Sequence, residues 1–140
     1  MKRVAILGAG VAGLTAAWWL GRAGWQVTVV ERAADLRSDG YMIGLSGPGY
    51  RVADEMGLLP ALRGVARDIG ENVFRDRQGR EIIRLHYHDL LRGFEWLTLA
   101  RTELVATLHA AAAPHCSLRF ATSLRDMQQE HGYVYDTHYL

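Results

Sequence analysis

The chain opens on a short apolar run, Val4-Ala5-Ile6-Leu7, which stops at Gly8. A run of this length without alternation is the pattern of a strand buried on both faces of a parallel sheet. From Val11 the apolar positions fall at helical spacing. Gly24 then stands where a helix C-terminal glycine belongs, and Val27 to Val30 repeats the buried-strand pattern before Glu31. The expected unit is strand, helix, strand.

The pattern then loosens. Arg32 to Ser46 has no sustained period and reads as a loop returning towards the sheet, with Tyr41-Met42-Ile43 a short strand between Gly40 and Gly44. Pro48, then Val52, Ala53 and Met56 ahead of Gly57, predict a short amphipathic helix, and Leu58 to Leu62 open a second that ends before Asp68. The period changes to two at Val73, Arg75 and Arg77. With Gln78-Gly79 as the turn and Ile82 to Leu85 extended, a β-hairpin is expected from Glu71 to His86. Trp96 to Leu99 is a further strand. Arg101 to Ala113 is a helix with Leu104, Val105 and Leu108 on one face, Glu103 in its first turn and Pro114 as its stop. Ser117 to Ala121, Leu124 to Gln129 and Tyr133 to Tyr139, the last two separated by a turn at Glu130-His131-Gly132, read as strands of a meander. The last would lack a partner, so the sheet is expected to continue beyond this sequence.

Composition narrows the class. The 140 residues fit one domain, with 49% hydrophobic positions and a formal charge of +1 from 16 basic and 15 acidic side chains. No basic run suggests nucleic acid, no apolar run reaches membrane-spanning length, and the N-terminus lacks the features of a signal peptide. Cys116, the single cysteine, cannot form an internal disulfide and fits a reducing cytoplasm. Beside Pro114 and His115 it reads as a small buried hydrophobe rather than a nucleophile. His86 and His88 alternate around Tyr87, which would put both on one face of an extended segment beside Asp89. Two histidines and one carboxylate are a thin ligand set, and no metal is expected.

The chemistry lies at the first turn. In Gly8-x-Gly10-x-x-Gly13 the first glycine permits the tight turn out of the strand. The second lets the backbone approach a pyrophosphate, and the third lets the helix pack close to the sheet. The free amides of the helix start, Val11 and Ala12 among them, and the positive end of the helix dipole would then meet the anion without a basic side chain. Glu31, about 20 residues beyond the glycines, has the spacing at which a carboxylate accepts hydrogen bonds from the hydroxyls of an adenosine ribose. It would repel a 2′-phosphate, which disfavours NADP and leaves FAD or NAD. Arg101 opposes the dipole of the helix it opens, so either it is solvated or something anionic holds it there.

Three segments, GAGVAGLTAAWWLGRAGWQVTVVER, GYMIGLSGPGYRVADEMGLLPALR and LARTELVATLHAAA, cover most of the chain. In them it resembles the N-terminal part of the FAD-dependent aromatic-ring monooxygenases of the para-hydroxybenzoate hydroxylase family, which includes the tetracycline-modifying flavoenzymes. The resemblance implies an α/β, Rossmann-like βαβ FAD/NAD(P)-binding fold with a β-hairpin and meander insertion. Residues 1–140 would be the N-terminal portion of the FAD-binding domain, incomplete relative to the family. It implies that Gly8, Gly10 and Gly13 line the FAD pyrophosphate, Glu31 holds the ribose, Arg32 lies beside the adenine and Arg101 reaches the flavin side. NAD(P)H and dioxygen would be co-substrates and an aromatic or polyketide-like small molecule the substrate. Family members are longer, and a later Asp-Gly segment and a Gly-Asp segment complete their site. No catalytic residue is therefore assigned here, and a second chain completing the FAD site is one expectation. The alternatives are a non-catalytic FAD- or ADP-binding module and an NAD-binding Rossmann protein.

Overall fold

A computed structural model describes residues 2–36, 40–130 and 133–136. The elements in order are β1 (Arg3–Leu7), α1 (Val11–Arg22), β2 (Gln26–Val30), β3 (Met42–Ser46), α2 (Gly47–Glu55), α3 (Leu59–Val65), β4 (Glu71–Arg75) and β5 (Glu81–His86). There follow α4 (Tyr87–Leu90), β6 (Trp96–Ala100), α5 (Arg101–Ala112), a 3-10 turn over Ala113–His115, β7 (Ser117–Arg119), β8 (Met127–Glu130) and β9 (Tyr133–Asp136). The chain divides into two compact units, Met1–Gly40 with Leu104–Leu140, and Tyr41–Glu103.

The first unit is built on a parallel sheet of order β1-β2-β7. Arg3 to Leu7 pair in register with Gln26 to Val30, and Thr28 to Val30 pair with Ser117 to Arg119. The central strand is the most buried, with Val27, Val29 and Val30 all in the core, as a strand covered on both faces requires. Leu14, Ala17 and Trp18 of α1 and Leu104, Val105, Leu108 and Ala112 of α5 complete the core. Helix α1 ends in a Schellman motif. The Gly24 N–H donates to Gly21 O and the Trp25 N–H to Leu20 O, with Gly24 at φ +82°. The chain then turns straight into β2.

Two expectations change here. Ser117–Arg119 is the third strand of the parallel sheet, not part of a meander, because α5 and the 3-10 turn carry the chain back alongside β2 as a parallel connection must. The antiparallel pairing belongs to the strands that follow, with Met127 to Glu130 against Tyr133 to Asp136. Residues 133–136 thus have a partner, while the expected turn at His131-Gly132 and the end of the last strand lie outside the described residues.

The second unit packs α2 and α3 on an antiparallel β3–β6 ribbon, burying Tyr50, Ala53, Met56, Leu59, Leu62 and Leu99. The segment after Gly40 therefore pairs with β6 rather than returning to the parallel sheet, and it runs through Gly44 to Ser46. The β4–β5 hairpin forms where the alternation placed it. Asp76 fixes its turn by accepting hydrogen bonds from the Gln78 and Arg80 N–H groups. Those of Arg80, backbone first, hold its carboxyl below the usual carboxylate range. His88 lies in the short helix α4, not on an extended segment. Its Nε2 is 3.0 Å from Asp68, whereas His86 Nδ1 is 4.0 Å from Glu71. The two histidines thus face different carboxylates.

Gly21 is a helix-interior glycine with a packing reason. A Cβ there would meet the carbonyl oxygen of His115, so α1 and the 3-10 turn approach closely only because the side chain is absent. Gly→Ala in a helix ordinarily stabilises by about 1 kcal/mol, but the overlap with backbone should reverse the sign. Gly21→Ala is expected to lower stability by about 1–3 kcal/mol in urea unfolding, the usual range for overpacking. A stabilised variant would mean that the close approach is unimportant.

Candidate dinucleotide site

The turn between β1 and α1 is shaped by backbone contacts. Gly8 has φ +102°, a conformation that favours glycine, and its N–H donates to Val30 O at 2.7 Å. At Gly13 a built Cβ would collide with the carbonyl oxygen of Gly8, so helix and turn can close on one another only with glycine there. Gly10 differs. It is the N-cap residue at φ −85° and ψ −174°, extended backbone that any residue adopts. Its conformation does not require glycine, whereas close approach of a ligand would.

Helix α1 begins without a side-chain cap and without an acidic residue in its first turn. The first intrahelical bond is Leu14 N–H to Gly10 O, so the amides of Val11, Ala12 and Gly13 precede the ladder and form no hydrogen bond among the described residues. Three successive donors at the positive end of a 12-residue helix are a ready anion site.

Glu31 stands at the carboxyl end of the neighbouring strand, and its carboxylate is tied to backbone. The Ala9 N–H donates to Oε2 and the Ala33 N–H to Oε1, each at 2.9 Å. A cleft of about 310 Å³ opens beside this carboxylate, at the low end of the range for small-molecule sites. Gly8, Glu31 and Arg32 line it together with Leu7, Val30, Thr122, Ser123 and Leu124.

These last three residues are the part of the site missed in reading the sequence. The backbone ties the chain leading into them to Glu31: its N–H donates to Arg119 O, the Thr122 N–H donates to Glu31 O, and the Ala121 N–H donates to Ala33 O. Ala121 takes φ +49°, uncommon for a residue with a Cβ. The small polar pair Thr122-Ser123 just beyond the exit of a parallel strand is the available signal, since ligands of open parallel sheets lie beyond the strands' carboxyl ends. It needed the knowledge that β7 joins that sheet.

Gly8, Glu31 and Arg32 are thus brought together on one cleft, and Gly10, Val11, Ala12 and Gly13 follow directly in the turn and first helical turn. Arg101 belongs to the second unit. It opens α5 half-buried, its N–H donating to Tyr41 O, and its guanidinium makes no hydrogen bond or ion pair among the described residues. The donors, the cleft and the fixed carboxylate fit the adenosine and pyrophosphate half of FAD.

This is a dinucleotide-binding βαβ fold of the Rossmann type. The chain belongs to the FAD dependent oxidoreductase (DAO) family, whose model matches residues 3–134. An uncharacterized protein of Mycobacterium tuberculosis is 38% identical over 133 residues, which is 93% of this chain and 36% of that protein. The FAD-dependent monooxygenase asL4 of Sarocladium schorii is 30% identical over 132 residues, 90% of this chain and 30% of its own. The crystal structure of CtdE in complex with FAD superposes with a TM-score of 0.77 at 21% identity, covering 93% of this chain and 32% of that one. The chain therefore spans about a third of the length of the relatives it matches. FAD is the cofactor of this family. No helix among the described residues is long and apolar enough to cross a membrane.

Cys116 lies outside the cleft, and its thiol donates to Ala112 O at 3.3 Å. Burial pushes the thiol pKa up, which leaves less thiolate at any pH below it than free cysteine has. Iodoacetamide at about pH 8 should alkylate Cys116 several-fold more slowly than free cysteine. A rate equal to or above that of free cysteine would identify it as an activated thiol.

Proposed function

We propose that residues 1–140 are the N-terminal portion of the FAD-binding domain of a flavin-dependent monooxygenase. The enzyme would be an oxidoreductase working with NAD(P)H and dioxygen on an aromatic or polyketide-like small molecule. The observation that carries the reading is the uncapped start of α1, set between the Gly8 turn and the Glu31 cleft. The name of the Sarocladium relative supports the monooxygenase class.

The bound flavin supplies the redox and oxygen-activating chemistry. The chain holds and orients it. The Val11, Ala12 and Gly13 amides receive the pyrophosphate beside Gly8 and Gly10, and Glu31 accepts the ribose hydroxyls while disfavouring a 2′-phosphate. Arg32 flanks the adenine and Arg101 serves the flavin side. Further sequence or a second chain completes the flavin and substrate pockets. A reducing cytoplasm suits the free thiol of Cys116.

A second reading, a non-catalytic FAD- or ADP-binding module or partner subunit, is favoured by one observation. Every residue lining the cleft, together with the glycine turn, lies within the first compact unit.

FAD titration followed by absorption and calorimetry tests the assignment. The parent should retain flavin, and Gly10→Val should abolish retention because its side chain occupies the pyrophosphate's place. Arg101→Ala should weaken FAD by about 1.5–3 kcal/mol, the scale of a charge-assisted hydrogen bond, and leave ADP unchanged. Equal FAD affinity for Gly10→Val and parent would refute the pyrophosphate site, and equal FAD affinity for Arg101→Ala would remove Arg101 from it.

A further inference from the structure

We propose that Glu31 is also the positioning residue of the phosphate-binding turn, so that it governs affinity for the pyrophosphate without touching it. This rests on the nucleotide reading above and adds to the ribose contact a second role that acts before any ligand arrives.

The amides of the turn divide into two sets. Gly8 and Ala9 are committed to the protein, Gly8 to Val30 O and Ala9 to Glu31 Oε2. Val11, Ala12 and Gly13 are left for an anion. The boundary between the sets is held by a side chain on the adjacent strand, not by the turn itself. Ala9 is only 4% exposed, so its N–H has no ready exchange of partner for water if the carboxylate is lost.

The other oxygen of the same carboxylate holds the Ala33 N–H, and Ala33 O receives the Ala121 N–H. Glu31 therefore joins the exits of β1, β2 and β7 through one side chain and the backbone bonds around it. Without the carboxylate, the turn at Ala9 and the loop at Ala33 lose their common anchor. The fraction of molecules with a binding-ready turn then falls, and apparent affinity falls with that fraction.

A ribose-only role and a positioning role differ on a ligand without ribose hydroxyls. ADP has them and 2′,3′-dideoxy-ADP does not. Calorimetry on the intact chain compares parent, Glu31→Gln and Glu31→Ala with both ligands. Dideoxy-ADP should bind Glu31→Ala about five-fold or more weakly than parent, with Glu31→Gln between them because it keeps one carbonyl acceptor. Unchanged dideoxy-ADP affinity would overturn the proposal in favour of ribose contact alone. Tighter binding to both variants would overturn it in favour of simple charge repulsion.

Amide hydrogen exchange on the ligand-free proteins gives a second, independent readout. Exchange at Ala9 and Ala33 should rise about ten-fold or more in Glu31→Ala, while the core amide of Val29 stays protected and reports that the fold is intact. Should Val29 lose protection, Glu31→Gln carries the comparison. Unaltered exchange at Ala9 in a variant with Val29 protected overturns the proposal. A parent that binds neither nucleotide would refute the proposed function, and the exchange arm would still decide whether Glu31 positions the turn.

Discussion

An α-helix cannot satisfy its own first amides, and in this protein that constraint organises the first unit. The start of α1 has no capping side chain and no acid to receive the Val11, Ala12 and Gly13 N–H groups. In most helices Ser, Asp or Glu would take that place. Leaving such donors open costs stability in an empty protein and, on the proposed reading, would reserve a concentrated positive potential for an anion. The features around it follow from keeping that potential accessible: a strand that ends in glycine, a second strand that ends in a carboxylate, and a third strand whose exit walls the cleft.

Close backbone approach is the second requirement. Gly13 allows the helix start to sit against the Gly8 carbonyl, and Gly21 allows the far end of the same helix to sit against the His115 carbonyl. Both ends of α1 are therefore clamped by contacts that no side chain larger than hydrogen permits. The Schellman ending at Gly24 then returns the chain into β2 within a few residues. A helix fixed at both ends holds its orphan amides in a defined place, as the proposed backbone-built anion site would require.

What was legible in the sequence was local. The apolar run before Gly8, the helical spacing after Val11, the Gly24 stop and the alternation from Val73 each depend on neighbouring residues, and each element forms where expected. What escaped depends on pairing between distant segments. Nothing in Ser117 to Arg119 states that its partner is Thr28 to Val30, and nothing in Met42 to Ser46 points to Trp96 to Ala100. The placement of Thr122 to Leu124 beside Glu31 was hidden for the same reason. His88 differs from its expected place because the alternation around Tyr87 predicts a continued strand where the chain enters a helical turn. The packing reason for Gly21 is a carbonyl 94 positions later in the chain, at His115, which no local pattern states.

The central claim is that the first-turn amides of α1 receive the diphosphate. Two-dimensional amide NMR of the chain during titration with ADP reads those groups individually, and 15.6 kDa is a convenient size for it. The expected result is that the largest shifts fall on Val11, Ala12 and Gly13, in the direction of stronger hydrogen bonding, with smaller changes at Glu31 and Arg32. If ADP binds and these three resonances stay where they were while the largest shifts appear elsewhere, the diphosphate is held by some other surface and the claim is wrong.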